Sequence, residues 1–123
     1  MSDYKELDVW KLAVELSVDV YTYTRHFPKS ETYGLVDQLR RSSVSIASNI
    51  AEGAGRSTKK DFAHFIAIAN GSACELETQI IIAYRIDFIN KVELECLNNS
   101  IVRIRKMLAR LRKSMLAAIN NPR

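Results

Sequence analysis

The stretch Leu94-Glu95-Cys96-Leu97-Asn98-Asn99-Ser100-Ile101-Val102-Arg103-Ile104-Arg105-Lys106-Met107-Leu108-Ala109-Arg110-Leu111-Arg112-Lys113-Ser114-Met115-Leu116-Ala117-Ala118 decides the fold. Leu94, Leu97, Ile101, Ile104, Leu108, Leu111, Met115 and Ala118 recur at alternating steps of three and four, the period of one helix seam that needs partner helices. On the other side run Arg103, Lys106, Arg110 and Lys113, with Arg105 and Arg112 beside them. The helix therefore has an oily face to pack and a cationic face to offer an anion.

Outward from that helix, the rest of the chain reads as three more. Val9, Leu12, Ala13, Leu16 and Val20, widened by Trp10, Val14 and Tyr21, give a first helix over about 4–26, stopped at Phe27-Pro28. Ser30 is the expected N-cap of a second helix over 31–53, with Leu35, Leu39, Ile46 and Ile50 inward. Its interior, Ser42 to Asn49, is small and polar, which suits a close helix neighbour, and Gly53-Ala54-Gly55 ends it. Thr58 and Asp61 open a third helix over 58–89, whose central Gly71 points to close approach or a bend. Its last turns carry Ile80, Ile81, Ile82 and Ile86 on nearly every side, more apolar surface than one partner covers. The basic helix spans 92–119, and Asn120-Asn121-Pro122-Arg123 should fray. Helices of these lengths with such short breaks predict one domain over 1–123, an all-α, antiparallel up-down-up-down four-helix bundle. The wide apolar arcs of helices one and three predict a homo-oligomer.

Composition narrows the function. The 123 residues are 47% hydrophobic and 26% charged, which is globular, and four Gly and two Pro leave few turns for an all-β fold. No apolar run reaches the ~20 residues of a membrane span, so a cytoplasmic location is expected. The net charge of +4 is uneven: residues 1–95 carry 11 basic and 14 acidic groups, whereas 96–123 carry 7 and none. Cations near a helix C-terminus oppose its dipole, but six between Arg103 and Lys113 exceed that need and point to an anionic partner.

The familiar chemistries do not match. Glu52-Gly53-Ala54-Gly55-Arg56-Ser57 lacks the lysine and the preceding strand of a phosphate loop. The carboxylates Asp61, Glu52, Glu75 and Glu77 lack the Glu-x-x-His pairs of a di-metal bundle, and His26 and His64 lie 38 positions apart. No GxSxG elbow occurs. Cys74 and Cys96 read as small buried hydrophobes. No metal, cofactor or enzymatic activity is expected. Arg40, Arg41, Asn49, Glu52, Glu75 and Glu77 are candidates for a structural polar network, with one arginine paired across the bundle to Glu75 or Glu77. Trp10, Tyr4, Tyr21, Tyr23 and Tyr33 lie early in the sequence, away from the basic run, so phosphate contact is favoured over base stacking.

Several stretches resemble the 23S rRNA intervening-sequence protein family. They are Tyr4-Lys5-Glu6-Leu7-Asp8-Val9-Trp10-Lys11, Tyr33-Gly34-Leu35, Gln38-Leu39-Arg40-Arg41-Ser42, Val44-Ser45-Ile46, Ser48-Asn49-Ile50-Ala51-Glu52-Gly53, Asp61-Phe62, Phe65, Ile68-Ala69, Gly71-Ser72 and Glu75-Leu76-Glu77-Thr78-Gln79. Ala47 departs from the proline that relatives often carry, implying a straighter second helix. The resemblance implies a bacterial four-helix bundle, with related bundles forming ring-shaped homopentamers. Similar accessory proteins of diversity-generating retroelements work with a reverse transcriptase and nucleic acid. No catalytic residues come with the family. The expected function is a non-enzymatic oligomer that contacts RNA or DNA through Arg103, Arg105, Lys106, Arg110, Arg112 and Lys113. The alternative is a protein-interaction scaffold that docks an acidic protein partner.

Overall fold

The computed structural model describes residues 3–120, and the fraying expected of Asn121, Pro122 and Arg123 lies outside them. All regular structure among the described residues is helical: α1 (Asp8–Thr24), α2 (Leu35–Ala54), α3 (Lys59–Arg85) and α4 (Lys91–Asn120), with 3-10 turns at Tyr4–Glu6 and Lys29–Glu31. The helices form a cycle in which α1 packs on α2, α2 on α3, α3 on α4 and α4 on α1, while the diagonal pairs stay apart. Partner numbers fall as α2 advances, since Ser42 meets Gln79, Ser45 meets Ser72 and Gly53 meets Phe65. Neighbours therefore run antiparallel, as the short connections require. The chain is a four-helix bundle.

One core fills the cycle. Ala13, Leu16 and Val20 of α1, Leu39, Ile46 and Ile50 of α2, Ile66, Leu76 and Ile80 of α3, and Ile101, Ile104 and Leu108 of α4 are all 2% exposed or less. Each large aliphatic side chain buried this fully contributes about 2 kcal/mol.

The helix ends differ from expectation for local reasons. Asp3 accepts the Lys5 N–H at 3.0 Å and Leu7 is extended, so residues 4–6 form a separate turn and α1 begins at Asp8. That turn lays Tyr4 edge-on against Trp10, with ring centroids 5.4 Å apart. Ser30 is not the N-cap of α2. It sits inside the 3-10 turn after Pro28, and the Glu31 carboxylate instead accepts the Leu35 N–H at 3.3 Å. Thr58 caps α3 as expected, its hydroxyl accepting the Asp61 N–H at 3.1 Å. The helix stops at Arg85 rather than 89 because Asp87 turns left-handed (φ 65°). The Phe88 N–H then reaches back to the Ala83 carbonyl at 2.9 Å and the Asp87 N–H to Tyr84 at 3.0 Å, a C-terminal cap usually built on glycine. This folds Ile89 into the core and sets Phe88 against Phe27 at 5.3 Å. At the start of α4, Asn90 and Glu93 form a reciprocal capping box: the Asn90 side chain accepts the Glu93 N–H at 2.8 Å, and the Glu93 carboxylate accepts the Asn90 N–H at 2.9 Å.

The close approach expected at Gly71 is found at Gly53 instead. A Cβ on Gly71 would meet nothing within 4 Å, so no helix approaches there. A Cβ on Gly53 would lie 2.7 Å from the Phe65 Cβ and 3.0 Å from Phe62 Cδ1. Close approach of α2 and α3 is located at Gly53.

Candidate nucleic-acid interface

With Leu97, Ile101, Ile104 and Leu108 turned inward, helical geometry sends Arg103, Lys106, Arg110 and Lys113 outward. All four are exposed, as is Arg112 on the flank. Among the described residues, none of these five cations forms an ion pair. They follow one another along α4 from its middle toward its C-terminus, and none lies in the last turn, where the helix dipole would favour a cation. An oily seam leaves no inward place for a cation, so the outer face collects them.

Arg105 departs from this pattern. It lies one position beyond Ile104, close enough to the seam to reach α3, and its Nη1 donates to Glu77 Oε1 at 3.0 Å. Its Nε is buried with no partner. Arg105 is thus a seam residue, not part of the outer strip. Beside it, a groove between α3 and α4 has a floor of Ile66, Ala67, Leu108 and Leu116, with Arg112 and Lys113 at its rim.

The polar network expected of Arg40, Arg41, Asn49, Glu52, Glu75 and Glu77 does not form. Arg41 pairs with Asp37 one turn back at 3.1 Å, and Glu52 with Arg56 at 2.6 Å, both exposed. Asn49 donates to the Ser45 carbonyl at 2.8 Å, and Glu75 is exposed. Glu77 takes its arginine from α4 rather than α2. Arg40 donates from Nε to Thr24 Oγ1 at 3.1 Å and lies 4.5 Å over the Tyr21 ring. Further interhelical polar contacts are made by the serines of α2: Ser43 with Ser17 at 3.1 Å, Ser42 with Gln79 at 2.7 Å, and Ser45 with Ser72 at 2.8 Å. The run of serines in α2 signalled a close neighbour, and Ser17, Ser72 and Gln79 were the partners missed.

The cysteines are not buried as expected: Cys74 is half-buried and Cys96 exposed. Cys96 Sγ accepts a 3.5 Å hydrogen bond from the Tyr23 hydroxyl. That bond, with desolvation and the repulsion of a Cys96 thiolate, pushes the phenol up to about 12. On the same flank, burial and then the neighbouring Glu15 raise the Asp19 carboxyl above its ordinary value. No helix among the described residues is long and apolar enough to cross a membrane.

Comparison with known proteins agrees with this architecture. A crystal structure of a protein of unknown function from the S23 ribosomal protein family of Bacteroides thetaiotaomicron VPI-5482 superposes with a TM-score of 0.79 at 26% identity, covering 85% of this chain and 98% of that one. No functionally curated protein matches the sequence. The model of the 23S rRNA-intervening sequence proteins matches residues 5–110, a span that holds all of α1, α2 and α3 and most of α4. By that match the chain belongs to the 23S rRNA-intervening sequence protein family.

Proposed function

We propose that the protein is a non-enzymatic, homo-oligomeric bundle that binds RNA or DNA through the phosphate backbone, using the outer face of α4. The observation that carries the reading is the strip Arg103, Lys106, Arg110 and Lys113, with Arg112 beside it, exposed and without ion pairs among the described residues. Arginine and lysine in such a row bind phosphates by charge and position without reading sequence. A partner of this kind belongs to the cytoplasm. Oligomerisation is supported by Ile81, Ile82 and Ile86, which are 44–47% exposed at the end of α3. Apolar side chains clustered at a surface mark an interaction site.

Changing the five outer cations to alanine leaves the seam intact, so the bundle should keep its helicity and oligomeric state. Binding of a labelled duplex, followed by fluorescence anisotropy at low salt, should fall at least about a hundredfold. Unchanged binding in the five-site variant would overturn the reading. So would the absence of binding by the parent protein, and the α4 face would then be assigned to an acidic protein partner.

A further inference from the structure

The fold sets Arg40 of α2 among aromatic side chains of α1 and of the turn before α2. Between the end of α1 and the start of α2 runs an open groove lined by Tyr21, Tyr33, Val36, Arg40 and Val44, with the Asp37–Arg41 pair along its wall. We infer that this groove binds unpaired nucleotides of a nucleic-acid strand, with a base on Tyr33 and its phosphate on Arg40.

Arg40 is positioned but not neutralised. Its Nε donates to Thr24 Oγ1 at 3.1 Å, and the Thr24 hydroxyl is itself fixed by donating to the Val20 carbonyl at 2.7 Å. One face of the guanidinium lies 4.5 Å over Tyr21. Among the described residues no acceptor takes its Nη hydrogens, and they remain available for a phosphate. Tyr33 is 96% exposed, and Tyr21 is 41% exposed. A bare aromatic face beside a held arginine is what an unstacked base requires, and a duplex keeps its bases stacked away from such a surface. The Asp37 carboxylate is taken by Arg41 on the groove wall, which leaves the Arg40 guanidinium without an acidic partner among the described residues. The groove lies on the α1–α2 side and shares no residue with the α4 strip, so the inference goes beyond the α4 proposal and can stand or fall separately.

The test compares the full chain and its variants on a labelled single-stranded oligodeoxycytidine and on a duplex of equal length. Tyr33→Ala removes a ring that supports no packing, so folding should be unaffected. It should weaken single-strand binding about tenfold and leave duplex binding unchanged. Tyr33→Trp should restore it, and Arg40→Lys, which keeps the charge but loses the flat stack, should weaken it. If the α4 proposal fails and this one holds, the five-site α4 variant keeps its single-strand binding and its sensitivity to Tyr33→Ala. If this one fails and the α4 proposal holds, Tyr33→Ala binds single strands as the parent does. A change in sedimentation coefficient with Tyr33→Ala would also overturn the inference, by assigning the groove to a second copy of the chain.

Discussion

The two flanks of α3 are packed by different means. Toward α2 the seam is small and polar, with Ser42 on Gln79, Ser45 on Ser72 and Gly53 pressed against Phe65. Toward α4 it is aliphatic, with Leu97, Ile101, Ile104 and Leu108 fully buried and the single Arg105–Glu77 pair at its edge. Hydrophobic burial has no direction, whereas hydrogen bonds and a glycine approach too close to admit a Cβ fix distance and register. The α2 seam therefore sets how α2 and α3 align. The α4 seam supplies bulk burial and leaves the outer side of α4 free to carry charge that the fold does not use.

Substitutions at the two glycines separate these roles most sharply. Gly53→Ala should destabilise the bundle by about 2 kcal/mol, because the new Cβ meets the Phe65 Cβ, which cannot move without the backbone. Gly71→Ala, in the same seam's partner helix but facing open space, should stabilise by about 1 kcal/mol through helix propensity. Chemical denaturation of both variants reads the contrast, and a neutral Gly53→Ala would show that the α2–α3 distance is set elsewhere.

The smallest expected effect lies on the α1–α4 flank. The Tyr23 phenol is held up to about 12 by Cys96, so the folded state keeps its proton after the unfolded chain has begun to lose it. Stability should therefore decline as pH rises from about 10 toward 12, where the unfolded state binds fewer protons. Tyr23→Phe should flatten that part of the pH profile in thermal melts. A profile unchanged by Tyr23→Phe would remove the tyrosine–cysteine contact from the account.

Much of this was legible in the chain itself. The three-and-four period of Leu97, Ile101, Ile104 and Leu108 prescribed both the buried seam of α4 and the outward direction of Arg103, Lys106, Arg110 and Lys113. Thr58 announced its cap. The ends of α1, α2 and α3 were less legible because each depends on a side chain acting locally: Asp3 on Lys5, Glu31 on Leu35, and Asp87 accepting a left-handed conformation without being glycine. Gly53 reads as part of a helix stop and Gly71 as the close approach, and only the position of the neighbouring helix shows that the approach is at Gly53. The Glu77 partner of Arg105 and the Thr24 partner of Arg40 were not legible for the same reason. A long side chain on a seam flank can reach either way, and the choice depends on where Glu77 and Thr24 arrive in space.

The central claim is that the outer cations of α4 are surplus to the fold and serve a polyanion. The dependence of duplex affinity on salt tests it most directly, since five neutralised phosphates give a slope of log K on log salt near about −4.5 for duplex DNA. The account predicts that slope for the parent protein and a slope near zero for the five-site alanine variant, with equal thermal stability. A parent slope near zero, or a variant that keeps the parent slope, would contradict it.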